Sequence, residues 1–161
     1  MKKKKSDPGS GGPLQLGFFE PESDWRPTPV CNLPSWSGAS RVGFDFETRD
    51  PQIKELGPGV RRDGYPIGYS FAIEGGPTHY VPYRHEGGGN LPEAEALAYL
   101  REQFKNFTGE IVGANLSYDL DYLLEEGVVP NPSIRWRDVQ IADPLIYELH
   151  YSYSLANVGQ R

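Results

Sequence analysis

The sequence predicts an α/β domain in which a mixed β-sheet is flanked by helices, and three observations support this fold class. Residues 41–47, 67–73 and 78–82 show the alternating, β-branched and aromatic pattern of three successive strands. A helix, a strand, a helix, a short strand and a further helix are then predicted in turn along the chain. The length of 161 residues allows one domain with a packed core.

The individual elements follow from local signals. Glu74-Gly75-Gly76-Pro77 separates the second and third strands, which predicts a hairpin. A helix is expected over 92–107, with Pro92 in its first turn and core spacing for the apolar residues. The remaining expectations are a long loop over 49–65, a strand at 111–114, a strand at 134–136, a helix over 139–149 and the start of another helix over 155–161.

Composition divides the chain into two parts and limits its function. Residues 1–40 are rich in Gly and Pro and begin with a basic run, so we expect a flexible segment ahead of a domain over 41–161.

The chain has no apolar run long enough to span a membrane and no signal peptide. With one cysteine, Cys31, it forms no internal disulfide, which agrees with a cytoplasmic location. The net charge of −6 argues against broad capture of nucleic acid unless bound cations reverse the local field.

Asp45 and Glu47 form the first candidate site. They lie two residues apart in the predicted strand 41–47, so both side chains point away from the face formed by Val42, Phe44 and Phe46. Adjacent anions repel each other unless a cation lies between them, and carboxylate oxygens are preferred ligands of Mg²⁺. The pair is therefore a candidate metal site, although two acids facing water at the end of a strand would give the same pattern.

A second acidic element follows the predicted strand at 111–114. Asn115 or Ser117 is expected to cap the helix that begins there, and Leu120, Leu123 and Leu124 are expected to form its buried stripe. Asp119 lies beside this stripe near the helix start, and we expect its side chain to project along the seam between helix and sheet. A structural acid stabilised by the helix dipole is the alternative. Asp121 is rotated away and is expected at the surface.

These two motifs resemble those of the DEDD 3′–5′ exonucleases. Asp45-Phe46-Glu47, followed by Asn115-x-x-x-Asp119-x-x-x-Leu123, is most similar to the proofreading domains of family A DNA polymerases, including phage enzymes. The similarity extends through residues 137–145 and the Ser-Tyr-Ser-Leu run at 152–155. The resemblance implies a ribonuclease-H-like (DnaQ-like exonuclease) mixed sheet flanked by helices, truncated before the last helices of that fold.

The resemblance also implies chemistry and ligands. Asp45, Glu47 and Asp119 match the acids that bind two Mg²⁺ or Mn²⁺ ions, and Thr48 and Asn115 match positions that contact the terminal nucleotide or its phosphates. The implied reaction is two-metal hydrolysis of the 3′-terminal phosphodiester of single-stranded DNA. Tyr118, beside the second-motif acid, is a candidate for stacking on a base, with packing an equal alternative. A polymerase domain or other replication proteins are the implied partners, in a bacterial cell or phage-infected host.

The chain departs from the family pattern at the fourth acid. The family supplies this residue from a late helix as Tyr-x-x-x-Asp or His-x-x-x-x-Asp, and neither form follows Asp143. We therefore expect an exonuclease domain that is incomplete at its C-terminus and has impaired catalysis, with Asp143 the nearest substitute ligand. Two alternatives remain open. One is a non-catalytic module of the same fold that binds nucleic acid or a polymerase, and the other is an RNA-directed exonuclease completed by a partner chain.

Overall fold

The computed structural model describes residues 24–149 and 152–160, which form a five-stranded mixed sheet with helices around it. The strands are β1 (Arg41–Arg49), β2 (Tyr65–Ile73), β3 (Thr78–Pro82), β4 (Glu110–Gly113) and β5 (Arg135–Asp138). The helices are α1 (Ile53–Leu56), α2 (Glu93–Asn106), α3 (Leu116–Glu125), α4 (Val139–Ile146) and α5 (Leu155–Val158), with one 3-10 turn at Val30–Asn32. None of these described helices is long and apolar enough to cross a membrane.

The strand order in the sheet is β3-β2-β1-β4-β5. Strands β1, β2 and β3 pair in antiparallel fashion, whereas β4 and β5 add in parallel on the other side of β1. Strand β1 is therefore central. It pairs along its length with β2 but meets β4 only over Arg41–Gly43. The second half of β1 consequently has an open edge on the β4 side.

One face of the sheet carries the hydrophobic core. Val42, Phe44 and Phe46 of β1 are buried there, as the alternation of the sequence predicts. Helix α2 packs on this face through its buried residues, and the rings of Phe44 and Phe104 meet edge to face with centroids 5.1 Å apart. Trp36, ahead of β1, has 0% of its surface exposed and contacts the same rings. Burial of each such side chain contributes about 1.5–3 kcal/mol.

Several predicted boundaries move in the structure. Strand β1 continues to Arg49 because β2 stays paired with it across a bulge between Glu47 and Thr48. The predicted loop over 49–65 contains the short helix α1, and α4 ends at Ile146 instead of 149. The hairpin of β2 and β3 is confirmed. The basic run at residues 2–5 lies outside the described residues.

Two predictions about α3 were wrong. Leu124 was expected in the buried stripe but is 60% exposed, and the buried residues are Leu116, Asp119, Tyr122 and Leu123. The helix starts at Leu116, so its inward face follows the i, i+3, i+7 positions from that residue. Neither Asn115 nor Ser117 caps α3 by a side-chain hydrogen bond, because Asn115 adopts a left-handed backbone (φ 59°) and a side chain from β5 takes this role.

Candidate active site

The two acids of the first motif lie on the face of β1 opposite the core. Asp45 is half-buried and Glu47 is exposed, while their neighbours Phe44 and Phe46 are buried on the other side. The residues opposite them on β2 are small, with Ser70 beside Asp45 and Gly68 beside Glu47. Neither β2 residue places side-chain bulk beside the carboxylates, although the Tyr80 ring of β3 extends over Gly68.

Asp119 reaches the same strand from helix α3. The amide N–H of Phe46 donates a hydrogen bond of 2.8 Å to Asp119 Oδ1. This amide belongs to the residue between the two acids of β1, on the edge left open where β4 ends. Asp119 is only 2% exposed, so its side chain fills the seam between helix and sheet. The expected projection of Asp119 along this seam is what the structure shows, and Asp121 is exposed as expected.

The acids are electrostatically costly as they stand. Burial, opposed by the hydrogen bond from Phe46 and aided by the charge of Asp45, raises the pKa of the Asp119 carboxyl to about 7. Burial, followed by the neighbouring Glu47, also raises the pKa of Asp45. Each carboxylate thus disfavours ionisation of the next, and a cation between them would relieve this repulsion.

The donor chemistry fits a hard divalent cation, since only carboxylate oxygens are offered. The arrangement of the side chains is less complete than the donor set. Among residues 24–149 and 152–160, no three acidic, histidine or cysteine side chains are gathered closely enough to hold a metal ion. Asp119 is buried, Asp45 is half-buried and Glu47 is exposed, so a shared ligand set would require the Glu47 side chain to turn toward the other two.

Asp138 fixes the start of α3, a role that the sequence reasoning missed. Its Oδ2 accepts from the amide of Leu116 (2.8 Å), and its Oδ1 accepts from the amides of Asn115 (3.1 Å) and Gln140 (2.9 Å). The same carboxylate therefore caps both α3 and α4. Because Asp119 lies in the first turn of α3, Asp138 positions it relative to β1.

Two of the three expected nucleic-acid contacts lie together at the end of β1. Thr48 Oγ1 and the Tyr118 hydroxyl form a hydrogen bond of 2.7 Å. The ring of Tyr118 also packs edge to face on Tyr122, with centroids 5.0 Å apart, so part of its surface is used in packing. Asn115 lies one helical turn before Asp119, where its side chain accepts a hydrogen bond from Ser117 Oγ.

Several other polar or reactive side chains have structural surroundings that do not connect them with these acids. Arg62 donates to the carbonyl oxygen of Gly57 (2.7 Å) within its own loop. His79 stacks on Phe71 with ring centroids 5.0 Å apart. Asp143 lies on α4, and Cys31 is an exposed free thiol. These observations leave the acids of β1 and α3 as the main candidate site.

No family model matches the sequence. The chain is 55% identical over 146 residues to a protein of Pseudomonas phage M6 described as a DNA-directed DNA polymerase. The match covers 89% of this chain but 22% of the phage protein, so the chain spans about a fifth of its curated relative.

Solved nuclease structures share the fold. A structure of Brucella melitensis NrnC with bound Mg²⁺ has a TM-score of 0.52 and 19% identity, covering 78% of this chain and 55% of that one. The same protein bound to pGG has a TM-score of 0.53 at 19% identity, covering 78% and 54% of the two chains. A structure described as the apo form of the nuclease has a TM-score of 0.52 and 17% identity, covering 76% of this chain and 50% of that one. The predicted ribonuclease-H-like fold, a mixed sheet flanked by helices, is confirmed.

Proposed function

We propose that this chain, which has the fold of DEDD-type exonucleases and is related to a phage DNA polymerase, is a 3′–5′ exonuclease domain of such a polymerase. It hydrolyses the 3′-terminal phosphodiester of single-stranded DNA and so removes misincorporated nucleotides. Mispaired ends separate from the template at lower cost than matched ends, which gives such a domain its selectivity.

One contact carries this proposal. The hydrogen bond from Phe46 to Asp119 brings an acid of α3 to the amide between Asp45 and Glu47. These residues are separated by more than seventy positions in the sequence, and a surface acid would have no reason to be directed there. Burial raises the pKa of both Asp45 and Asp119, and the charge of Asp45 adds to the shift at Asp119. Such paired, perturbed acids are typical of catalytic sites.

Each residue has a distinct task in the proposed reaction. Asp45 and Asp119 bind the divalent cations from the less exposed side of the site, and Glu47 completes the ligand set by turning inward from the surface. Thr48 and Tyr118 present hydroxyl groups at the end of β1, where they contact the terminal nucleotide. Asp138 keeps the first turn of α3, and hence Asp119, in place.

The implied cofactor is a pair of Mg²⁺ or Mn²⁺ ions, which when bound lower the pKa of the attacking water and stabilise the leaving 3′ oxygen. The bound Mg²⁺ of the NrnC structure supports a divalent cation for this fold. The carboxylate-only donor set supports the same choice over zinc, for which nitrogen and sulfur ligands are preferred.

The test is cleavage of a 5′-labelled single-stranded oligodeoxynucleotide with Mg²⁺ or Mn²⁺. We expect products that shorten one nucleotide at a time from the 3′ end, formed slowly because the chain lacks the fourth acid of the family pattern. Asp45→Asn and Asp119→Asn should abolish this ladder, and chelation of the metal should do the same. Asp121→Asn is the matched control, since it removes a carboxylate from the same helix at the exposed surface. Internal cuts, or a ladder that survives Asp45→Asn, would contradict the proposal.

A non-catalytic binding module is the second candidate, and one observation favours it. The described residues assemble no three-ligand metal group, so the site lacks a ready-made centre. Metal-independent binding of single-stranded DNA without cleavage, unchanged in Asp45→Asn, would identify the module. Faster cleavage of RNA than of DNA would instead point to an RNA-directed exonuclease.

A further inference from the structure

A cleft of about 530 Å³ opens beside β3. Trp25, Tyr80 and His85 supply its aromatic rings, Arg26 supplies a cation, and residues 87–89 supply three consecutive glycines. Trp25 is 53% exposed even though its ring packs against Tyr80 with centroids 6.0 Å apart. The cleft thus presents a tryptophan face to solvent beside a positive charge.

This cleft belongs to the same face of the sheet as the acids. Tyr80 pairs in register with Ser70, which in turn pairs with Asp45, so the three side chains form one row across β3, β2 and β1. Two strand spacings place Tyr80 about 10 Å from Asp45 across the sheet. The charge of Glu47 contributes to raising the pKa of Tyr80, after burial, which places the two groups within electrostatic range.

Gly68 explains how Tyr80 is directed toward the acids. Gly68 lies opposite Glu47 on β2, and a Cβ atom there would be 2.5 Å from the Tyr80 hydroxyl. The missing side chain therefore leaves space for the Tyr80 ring to lie across β2. The Tyr80 hydroxyl forms a hydrogen bond with His85 Nε2, and Asn90 holds the His85 backbone through two hydrogen bonds of 2.8 Å. These contacts fix the orientation of the Tyr80 and His85 rings, which together with Trp25 form the aromatic wall of the cleft.

A second, smaller cleft connects this wall to the end of β1. It has a volume of about 330 Å³ and is lined by Thr48 and Arg49 at one end and by His85 and Gly87 at the other. His85 and Gly87 line both clefts, so the two are adjacent, and the smaller one also contains the ion pair of Arg49 with Glu86. The adjacent clefts offer an extended ligand a route from Thr48 past His85 to Trp25 if the Arg49–Glu86 ion pair opens.

The chemistry of this path matches a single strand of nucleic acid. Nucleobases stack on exposed aromatic rings whatever their sequence, and cations nearby attract the phosphates. The Arg26 guanidinium is held at the cleft by a 3.0 Å hydrogen bond to the Trp25 carbonyl oxygen. The glycines at 87–89 have no side chains to obstruct the path, and a Cβ at any of them would meet nothing within 4 Å.

We propose that Trp25 and Tyr80, held by His85, form a stacking subsite for a nucleobase of the strand whose terminal phosphodiester lies at Asp45 and Glu47. This inference rests on the proposed function for its direction along the strand. The subsite selects for single-stranded ends, because a base paired in a duplex cannot leave its stack to lie on Trp25. Its contribution is to binding of the strand and not to the chemical step.

The test is equilibrium binding of a fluorescein-labelled single-stranded oligodeoxynucleotide in a buffer with chelator, so that no cleavage occurs. Stacking of a base on an aromatic side chain contributes about 1–3 kcal/mol, so Trp25→Ala should weaken binding about 5- to 150-fold. Trp25→Phe keeps a ring and should recover most of the affinity. Val129→Ala removes exposed apolar surface elsewhere and should bind as the wild type does.

Oligonucleotides with one abasic site locate the base. One abasic position should weaken binding to the wild type and have little further effect on Trp25→Ala, because both changes remove the same stacking contact. Unchanged affinity of Trp25→Ala, or an equal abasic penalty in both proteins at every position, would overturn the subsite.

The two proposals fail separately. Cleavage lost in Asp45→Asn together with normal binding by Trp25→Ala supports the nuclease and refutes the subsite. Cleavage unaffected by Asp45→Asn together with weak binding by Trp25→Ala refutes the proposed active site and supports the stacking contact.

Discussion

The buried carboxyl of Asp119 gives the most informative prediction, for the substitution Asp119→Asn. Asparagine keeps a side-chain oxygen that can accept the hydrogen bond from Phe46, but it cannot ionise. In the wild type, burial raises the pKa of Asp119 to about 7, compared with about 3.9 in an unfolded chain. The folded protein therefore favours the neutral acid, and the stabilities of the two proteins should differ only at pH values where the Asp119 carboxyl of the unfolded chain ionises.

The size and sign of the effect follow from this pKa difference. A shift of about 3 units corresponds to about 4 kcal/mol in the free energy of unfolding. Because the folded-state pKa is raised, this stabilising contribution is complete below about pH 4 and is lost as the pH rises through about 7. We expect Asp119→Asn to match the wild type near pH 4 and to be more stable by about 2–4 kcal/mol near pH 8 without metal.

The assay is urea unfolding followed by circular dichroism at several pH values in the presence of chelator. Asp121→Asn is the control, and it should leave the pH dependence of unfolding unchanged because Asp121 is exposed. A stability difference that does not vary with pH, or an Asp119→Asn variant that is less stable near pH 8, would refute the reasoning. Either result would mean that Asp119 is not a buried, charge-averse acid.

Three further predictions concern the supports of the site, each measured by urea unfolding alongside cleavage. Asp138→Ala removes the acceptor of amides at the starts of α3 and α4 and should lower the free energy of unfolding by about 1–4 kcal/mol. Cleavage should also be lost because Asp119 shifts, whereas Asp138→Asn should retain part of the stability and part of the cleavage. Gly68→Ala places a methyl group against the Tyr80 hydroxyl and should lower the free energy of unfolding by about 1–3 kcal/mol. DNA binding should weaken as well, and wild-type stability would contradict the packing of Tyr80 over Gly68. Arg84→Met leaves the buried carboxylate of Glu126 without its guanidinium partner and should lower the free energy of unfolding by about 3 kcal/mol near pH 7, and wild-type stability would argue against this cause.

Strictly local patterns of the sequence predicted much of the fold. The alternation around Asp45 places apolar rings on one face of β1 and acids on the other, and that alternation is a geometric property of any strand. The position of Asp119 near a helix start, beside apolar residues, likewise predicted its place at the seam with the sheet. Both predictions needed only the periodicity of a single element.

Long-range contacts account for the errors. The cap of α3 comes from Asp138, 23 residues beyond Asn115, and no local pattern couples these two residues. Leu124 is apolar yet exposed, because the inward face of α3 is set by its docking on β1 and not by its composition. The cleft at Trp25 could not be predicted, since it depends on the register that places Tyr80 in one row with Asp45.

The central claim is that Asp45, Glu47 and Asp119 act together on a divalent cation. Mn²⁺ binding measured by electron paramagnetic resonance tests this claim directly. We expect the wild type to bind Mn²⁺ near neutral pH, Asp45→Asn and Asp119→Asn to lose that binding, and Asp121→Asn to retain it. Equal Mn²⁺ binding by all four proteins, or none by the wild type, would contradict the account.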